Sequence, residues 1–213
     1  MNILNMRNNA PLEISLVIMT GLGKFIMVDL LNLKIYFIFI ACVFWIMYVI
    51  IRTRANPKIL SIWGFTVKNF SQCLKSILPI AVVSVATFAI YGFLKDTLIL
   101  SWHIIPILIL YPIWGTIQQF LIISLFAGNL KEMGFRWMTN TLIIILTAIL
   151  FAIVHYPSWM LVGGTFIMAL FYTYLFLKFR NIWALGIFHG WLGAFFYYFA
   201  LNRDPLIEMI NSI

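Results

Sequence analysis

Charge is scarce in this chain. Only 9% of its 213 residues are Asp, Glu, Lys or Arg, against roughly a quarter in soluble domains. Such a composition excludes a soluble globular domain, because too little polar surface is available to cover one. Acidic side chains are the rarest, with six in all: Glu13, Asp29, Asp96, Glu132, Asp204 and Glu208. None of them lies near Gln118, Gln119, His155 or His189 along a predicted span, so no general base is apparent beside those residues. The two cysteines, Cys42 and Cys73, sit within or beside apolar runs, which speaks against a disulfide framework and a zinc site. The N-terminus also lacks a short apolar core followed by small residues, so no removable signal peptide is expected. No internal repeat or low-complexity tract is visible.

Apolar length is abundant. The mean hydropathy is +1.04 and 64% of the residues are apolar, which marks an integral membrane protein. At roughly 20 residues per crossing, the chain predicts about six transmembrane helices in an all-α fold. Residues 30–51 read as the first span; later ones follow at about 76–94, 98–128, 138–155, 159–177 and 182–201. Gly21, Gly23 and Lys24 interrupt the earlier apolar stretch, so residues 1–29 read as an N-terminal interfacial segment. Between the first two spans, Ile59, Trp63, Val67, Phe70 and Leu74 share one helical stripe opposite Ser61, Lys68, Gln72 and Lys75. This pattern predicts an amphipathic surface helix over 58–75. Residues 30–97 thus hold accessory spans and this helix, 98–201 a core, and 202–213 a tail.

The 14 basic residues outnumber the six acidic ones, but they fall between apolar runs and mark topology rather than nucleic-acid binding. Nine of them, from Arg52 through Arg180, collect on one side if 98–128 is a single proline-kinked span. That side is expected to be cytoplasmic, although Arg7, Lys24 and Lys34 pull the other way. The expected location is a prokaryotic plasma membrane, and the expected partner of the basic loops is membrane lipid.

Polar residues inside the spans single out a site, because such groups are costly in lipid. Gln118 and Gln119 lie roughly 14 Å from the nearer end of their helix at 1.5 Å per residue. His189 is at a comparable depth, and His155 closes its span just before Pro157. Glutamines alone often serve as interhelical glue, worth about 0.6 kcal/mol. His103, beside Trp102, reads as an interface anchor, and Trp114, Trp159, Trp183 and Trp191 as packing or interface residues.

Three features come in order, each on its own span: the Gln118–Gln119 pair, Phe151-x-x-x-His155, and His189 followed by Gly193. Together they resemble the CPBP family of intramembrane proteases, also called the CAAX protease and bacteriocin-processing or Abi family, which includes the type II prenyl-protein endopeptidases. The resemblance covers roughly residues 98–201, and RNIWALGIFHGWLG is similar to the family's last conserved segment. It implies a four-helix CPBP-like core whose catalytic positions are Gln118, Gln119, His155 and His189, with Phe151, Gly193, Ile123 and Trp114 supporting the cavity. The family's first motif, EExxxR, would place glutamates at Gln118 and Gln119 and an arginine at Ile123. The first glutamate is implied to activate water, with the histidines holding that water or the transition state.

An amide has no carboxylate to take a proton, so general-base hydrolysis in that form is lost. Two readings stay open: an endopeptidase-like enzyme acting on a membrane peptide or prenylated protein, and a non-catalytic membrane protein in a binding, regulatory or immunity role. A transporter is disfavoured without repeats or a charged pathway. No cofactor and no tightly held metal are expected, since two histidines and amide oxygens make a poor zinc site. A weakly held metal at His155 and His189 is compatible with their chemistry.

Overall fold

The computed structural model describes residues 9–210. Residues 1–8, with Arg7, and 211–213, the end of the predicted tail, lie outside them. In chain order the helices are α1 (Ala10–Gly23), α2 (Lys34–Ala55), α3 (Ile59–Ile62), α4 (Phe70–Lys95) and α5 (Ile104–Gln119). Then follow α6 (Asn129–Met133), α7 (Asn140–Ile153), α8 (Trp159–Phe179), α9 (Ile182–Phe195) and α10 (Pro205–Ile210). Three of them run on as π-helix, over Lys24–Leu30, Phe120–Gly128 and Phe196–Ala200. All regular elements among the described residues are helical, as the composition requires.

Six helical stretches are long and apolar enough to cross a membrane, but they are not the six that hydropathy alone marks out. Ala10–Leu30 qualifies by length and composition, so the N-terminal stretch read as interfacial is a continuous helix over those residues. Its apparent interruptions have partners: Lys24 is paired with Asp29 at 2.6 Å, and Gly23 faces the Phe37 ring. Conversely, the predicted span 138–155 forms only the 14-residue α7, about 21 Å long at 1.5 Å per residue and short of the hydrocarbon thickness. The surface helix expected over 58–75 is also corrected. Its stripe is divided by a turn in which Gly64 (φ 89°) and Asn69 (φ 58°) adopt left-handed conformations. Only the single turn α3 precedes this break, and Phe70 already begins α4.

The chain divides into two compact units. One comprises residues 1–65 and 121–180. In it α7 and α8 form an antiparallel pair, α7 burying Ile143, Thr147, Ala148, Phe151 and Ala152, a stripe at the 3–4 spacing of a helix face. Thr139 caps α7 by accepting from the Leu142 amide at 3.2 Å. Arg180, just past α8, pairs with Glu132.

The second unit comprises residues 66–120 and 181–213. Its centre is the contact of α5 with α9, and the two backbones touch. A Cβ on Gly186 would meet Thr116 Oγ1 at 2.2 Å, and one on Gly190 would meet the Pro112 nitrogen at 2.3 Å. Only glycine permits this approach, the small-xxx-small arrangement of membrane helices. Pro112 lacks the N–H that would bond the Leu108 carbonyl, and the Trp191 indole donates to that oxygen instead at 3.0 Å. Asn181 fixes the start of α9: its oxygen accepts from the Ala184 amide at 3.0 Å, and its amide donates to the Thr66 and Lys68 carbonyls.

At the far end of this unit, Asp204 is a node. Its carboxylate lies 2.7 Å from His103 Nδ1, accepts from the Tyr198 hydroxyl at 2.8 Å and receives the Leu206 and Ile207 amides. Burial alone would raise its pKa; the hydrogen bonds from His103, Tyr198 and Ile207 outweigh it and hold the carboxyl below its ordinary value. His103, read as an interface anchor, thus also holds a hydrogen bond to Asp204.

Candidate functional site

Helix periodicity builds the polar contact of the second unit. On α9, Gly186, His189, Gly190 and Gly193 fall at spacings of three, four and seven, and so share one face. On α5, Pro112, Gly115 and Gln119 do the same. The glycines of α9 bring the helices to backbone contact at Pro112 and Thr116, and His189, which lies between Gly186 and Gly190, meets Gln119 about one turn beyond Thr116. The Gln119 amide nitrogen stands 2.7 Å from His189 Nδ1. An amide NH₂ can only donate, so Nδ1 accepts and the neutral ring carries its proton on Nε2.

Gln119 is fully buried and His189 is 8% exposed. The remaining Gln119 atom, Oε1, is buried without a hydrogen-bond partner. Unpaired buried acceptors are uncommon and costly, so this oxygen marks a place where hydrogen-bonding capacity is unspent. The two glutamines therefore differ: Gln118 is half-buried, and Gln119 carries the contact. Trp114, proposed as a support, is 40% exposed on α5. Gly193 lies one turn past His189, with Tyr111 against it.

The other motif residues belong to the first unit. Phe151 is 1% exposed, and its carbonyl accepts from His155 Nδ1 at 2.7 Å, while the two rings meet edge-on at 4.8 Å. Because a carbonyl oxygen only accepts, the proton of a neutral His155 sits on Nδ1, and Nε2 presents a lone pair. The two neutral rings thus differ in tautomer, with the proton on Nδ1 in His155 and on Nε2 in His189. Ile123, the position that the resemblance pairs with an arginine, is fully buried within the π-helical stretch that begins directly after Gln119. π-Helical turns recur at functional sites.

Sequence reasoning missed a charged cluster in the first unit. Glu13, 2% exposed, accepts from the Tyr48 hydroxyl at 2.6 Å and from Asn129 Nδ2 at 2.6 Å, and pairs with Arg52 Nη1 at 2.9 Å. The Arg52 guanidinium lies 6.0 Å from the centre of the Trp63 ring. The one available signal was an acid in an apolar stretch, which by itself suggests a partner. Among the described residues, no three of His, Cys, Asp and Glu are grouped so as to hold a metal ion.

Comparison with known proteins bears on the core alone. No curated protein and no solved structure matches the chain. Residues 101–195, however, match the family described as type II CAAX prenyl endopeptidase Rce1-like. Gln118, Gln119, Phe151, His155, His189 and Gly193 all fall inside that stretch, and the match is consistent with the CPBP resemblance of this core.

Proposed function

We propose that this integral membrane protein engages a membrane-associated peptide or prenylated protein through Gln118, Gln119, His155 and His189, with the glutamate-based hydrolysis of its family lost. The observation that carries the reading is the Gln119–His189 contact, an amide in the place of a carboxylate with its oxygen unspent. An amide holds a ligand N–H or a water but cannot take a proton from it.

The pairing of the acids supports the same reading. Glu13 is bound to Arg52, Asp29 to Lys24, Glu132 to Arg180, Asp204 to His103 and Glu208 to Arg203. Asp96, the sixth, is exposed just after α4. With these carboxylates committed elsewhere, a substitute general base has no evident source. This favours the non-catalytic form of the reading, in which the chain binds without cleaving, as a regulatory or immunity protein does.

Restoring the acids is the test. The parent, Gln118→Glu and the Gln118→Glu/Gln119→Glu pair are compared in lipid nanodiscs on a membrane peptide and a prenylated peptide. The parent is expected to show no turnover and the double variant a gain. Cleavage by the parent that His155→Ala or His189→Ala abolishes would overturn the reading. The basic loops are proposed to face the cytoplasm; labelling of both Arg54→Cys and Arg180→Cys from outside the cell would reverse that orientation.

A further inference from the structure

The family match begins at residue 101, yet the turn that carries His155 is held by a helix outside it. Lys24, at the start of the π-helical extension of α1, donates through Nζ to the Tyr156 carbonyl at 2.7 Å. The same ammonium pairs with Asp29 at 2.6 Å and lies 4.6 Å from the centre of the Phe25 ring. One turn earlier, Gly21 lies against Val154, where an added Cβ would come to 3.4 Å from Cγ1. The two contacts bracket His155, one on each side.

The end of α7 explains why such a partner is needed. The last carbonyls of a helix have no donors within it. The turn supplies several itself: the His155 and Tyr156 amides donate to the Ala152 and Ile153 carbonyls, and the Ser158 amide to that of His155. The His155 ring takes the Phe151 carbonyl. Tyr156 receives Lys24, a cation at the negative end of a helix, which is a favourable placement. Charge-assisted hydrogen bonds of this kind are about twice as strong as neutral ones. α1 is also anchored at its other end, where Glu13 meets Arg52, Tyr48 and Asn129. A helix gripped at both ends does not slide along the turn it supports.

We propose that Lys24 is a positioning residue for His155, and that the N-terminal span sets the conformation of the turn bearing this histidine by holding the backbone on both sides of it. The functional meaning rests on the reading of His155 given above, whereas the positioning itself does not.

The test reads the imidazole directly. The full chain in lipid nanodiscs is treated with diethyl pyrocarbonate, and modification of His103, His155 and His189 is followed by peptide mass spectrometry. Lys24→Met should raise the His155 rate by about tenfold, the shift in local opening that follows loss of one charge-assisted hydrogen bond. Lys24→Arg should stay near the parent, as should Lys34→Met, a control at the exposed start of α2. A His155 rate in Lys24→Met within about twofold of the parent overturns the proposal, given the size of that bond. An equal rise at all three histidines, or failure of Lys24→Arg to preserve the parent rate, overturns it too. If Lys24→Met does not fold, Gly21→Ile decides: its side chain presses on Val154 and must also raise the His155 rate, and an unchanged rate counts against the proposal. Turnover is not measured, so this result and that of the restored acids stand or fall separately.

Discussion

The Glu13 cluster of the first unit and the Gln119–His189 contact of the second are built to opposite plans. In the first, Glu13 is surrounded by Arg52, Tyr48 and Asn129, and both carboxylate oxygens are engaged. In the second, Gln119 reaches His189 through its nitrogen while its oxygen is left unspent. Full satisfaction is what a scaffold needs, since a buried charge is tolerable only when paired. An incomplete set is what a ligand can complete. The contrast separates two roles that burial and polarity alone do not distinguish.

The largest expected effect follows from breaking the satisfied cluster. Arg52→Leu leaves the Glu13 charge without its cation, a loss of about 3–5 kcal/mol. It should lower the thermal midpoint strongly, and adding Glu13→Gln should recover much of it. A single variant as stable as the parent would show that the pair carries no stability. Next in size is Gly190→Leu, whose side chain would be driven into the Pro112 backbone. Overpacking of this kind costs about 1–3 kcal/mol, and parting α5 from α9 should also release His189, read as a changed ring signal by nuclear magnetic resonance. The smallest effect belongs to Gln119→Leu. One hydrogen bond worth about 1 kcal/mol is lost, but a costly unpaired oxygen goes with it, so the midpoint should hardly move while peptide binding falls. A loss as large as that of Arg52→Leu would erase the distinction between the two clusters.

Much of this was written in the residues. Hydropathy shows the membrane class and most spans, and the Pro112–Gln119 and Gly186–Gly193 stripes lie on their helix faces by spacing alone. The Glu13–Arg52 pair was hidden because its members stand on different helices, where no periodicity links them. Gly21, Gly23 and Lys24 read as interruptions until their partners Val154, Phe37 and Tyr156 are known. The stripe over 58–75 has a genuine helical period, but Gly64 and Asn69 turn the chain before that period can be used. Local pattern reports what a segment could form, and backbone signs and distant partners decide what it does form.

The bond from Trp191 to Leu108 carries a consequence for biosynthesis. Its two ends are 83 residues apart, so α5 is made and enters the bilayer well before its donor exists. During that interval the Leu108 carbonyl, stripped of a helical partner by Pro112, must be covered by water or by another transient donor, because lipid offers none. Arrival of α9 closes the gap in α5 and sets Gln119 against His189 in the same event. The polar contact at the heart of this domain therefore forms only after α9 has been made.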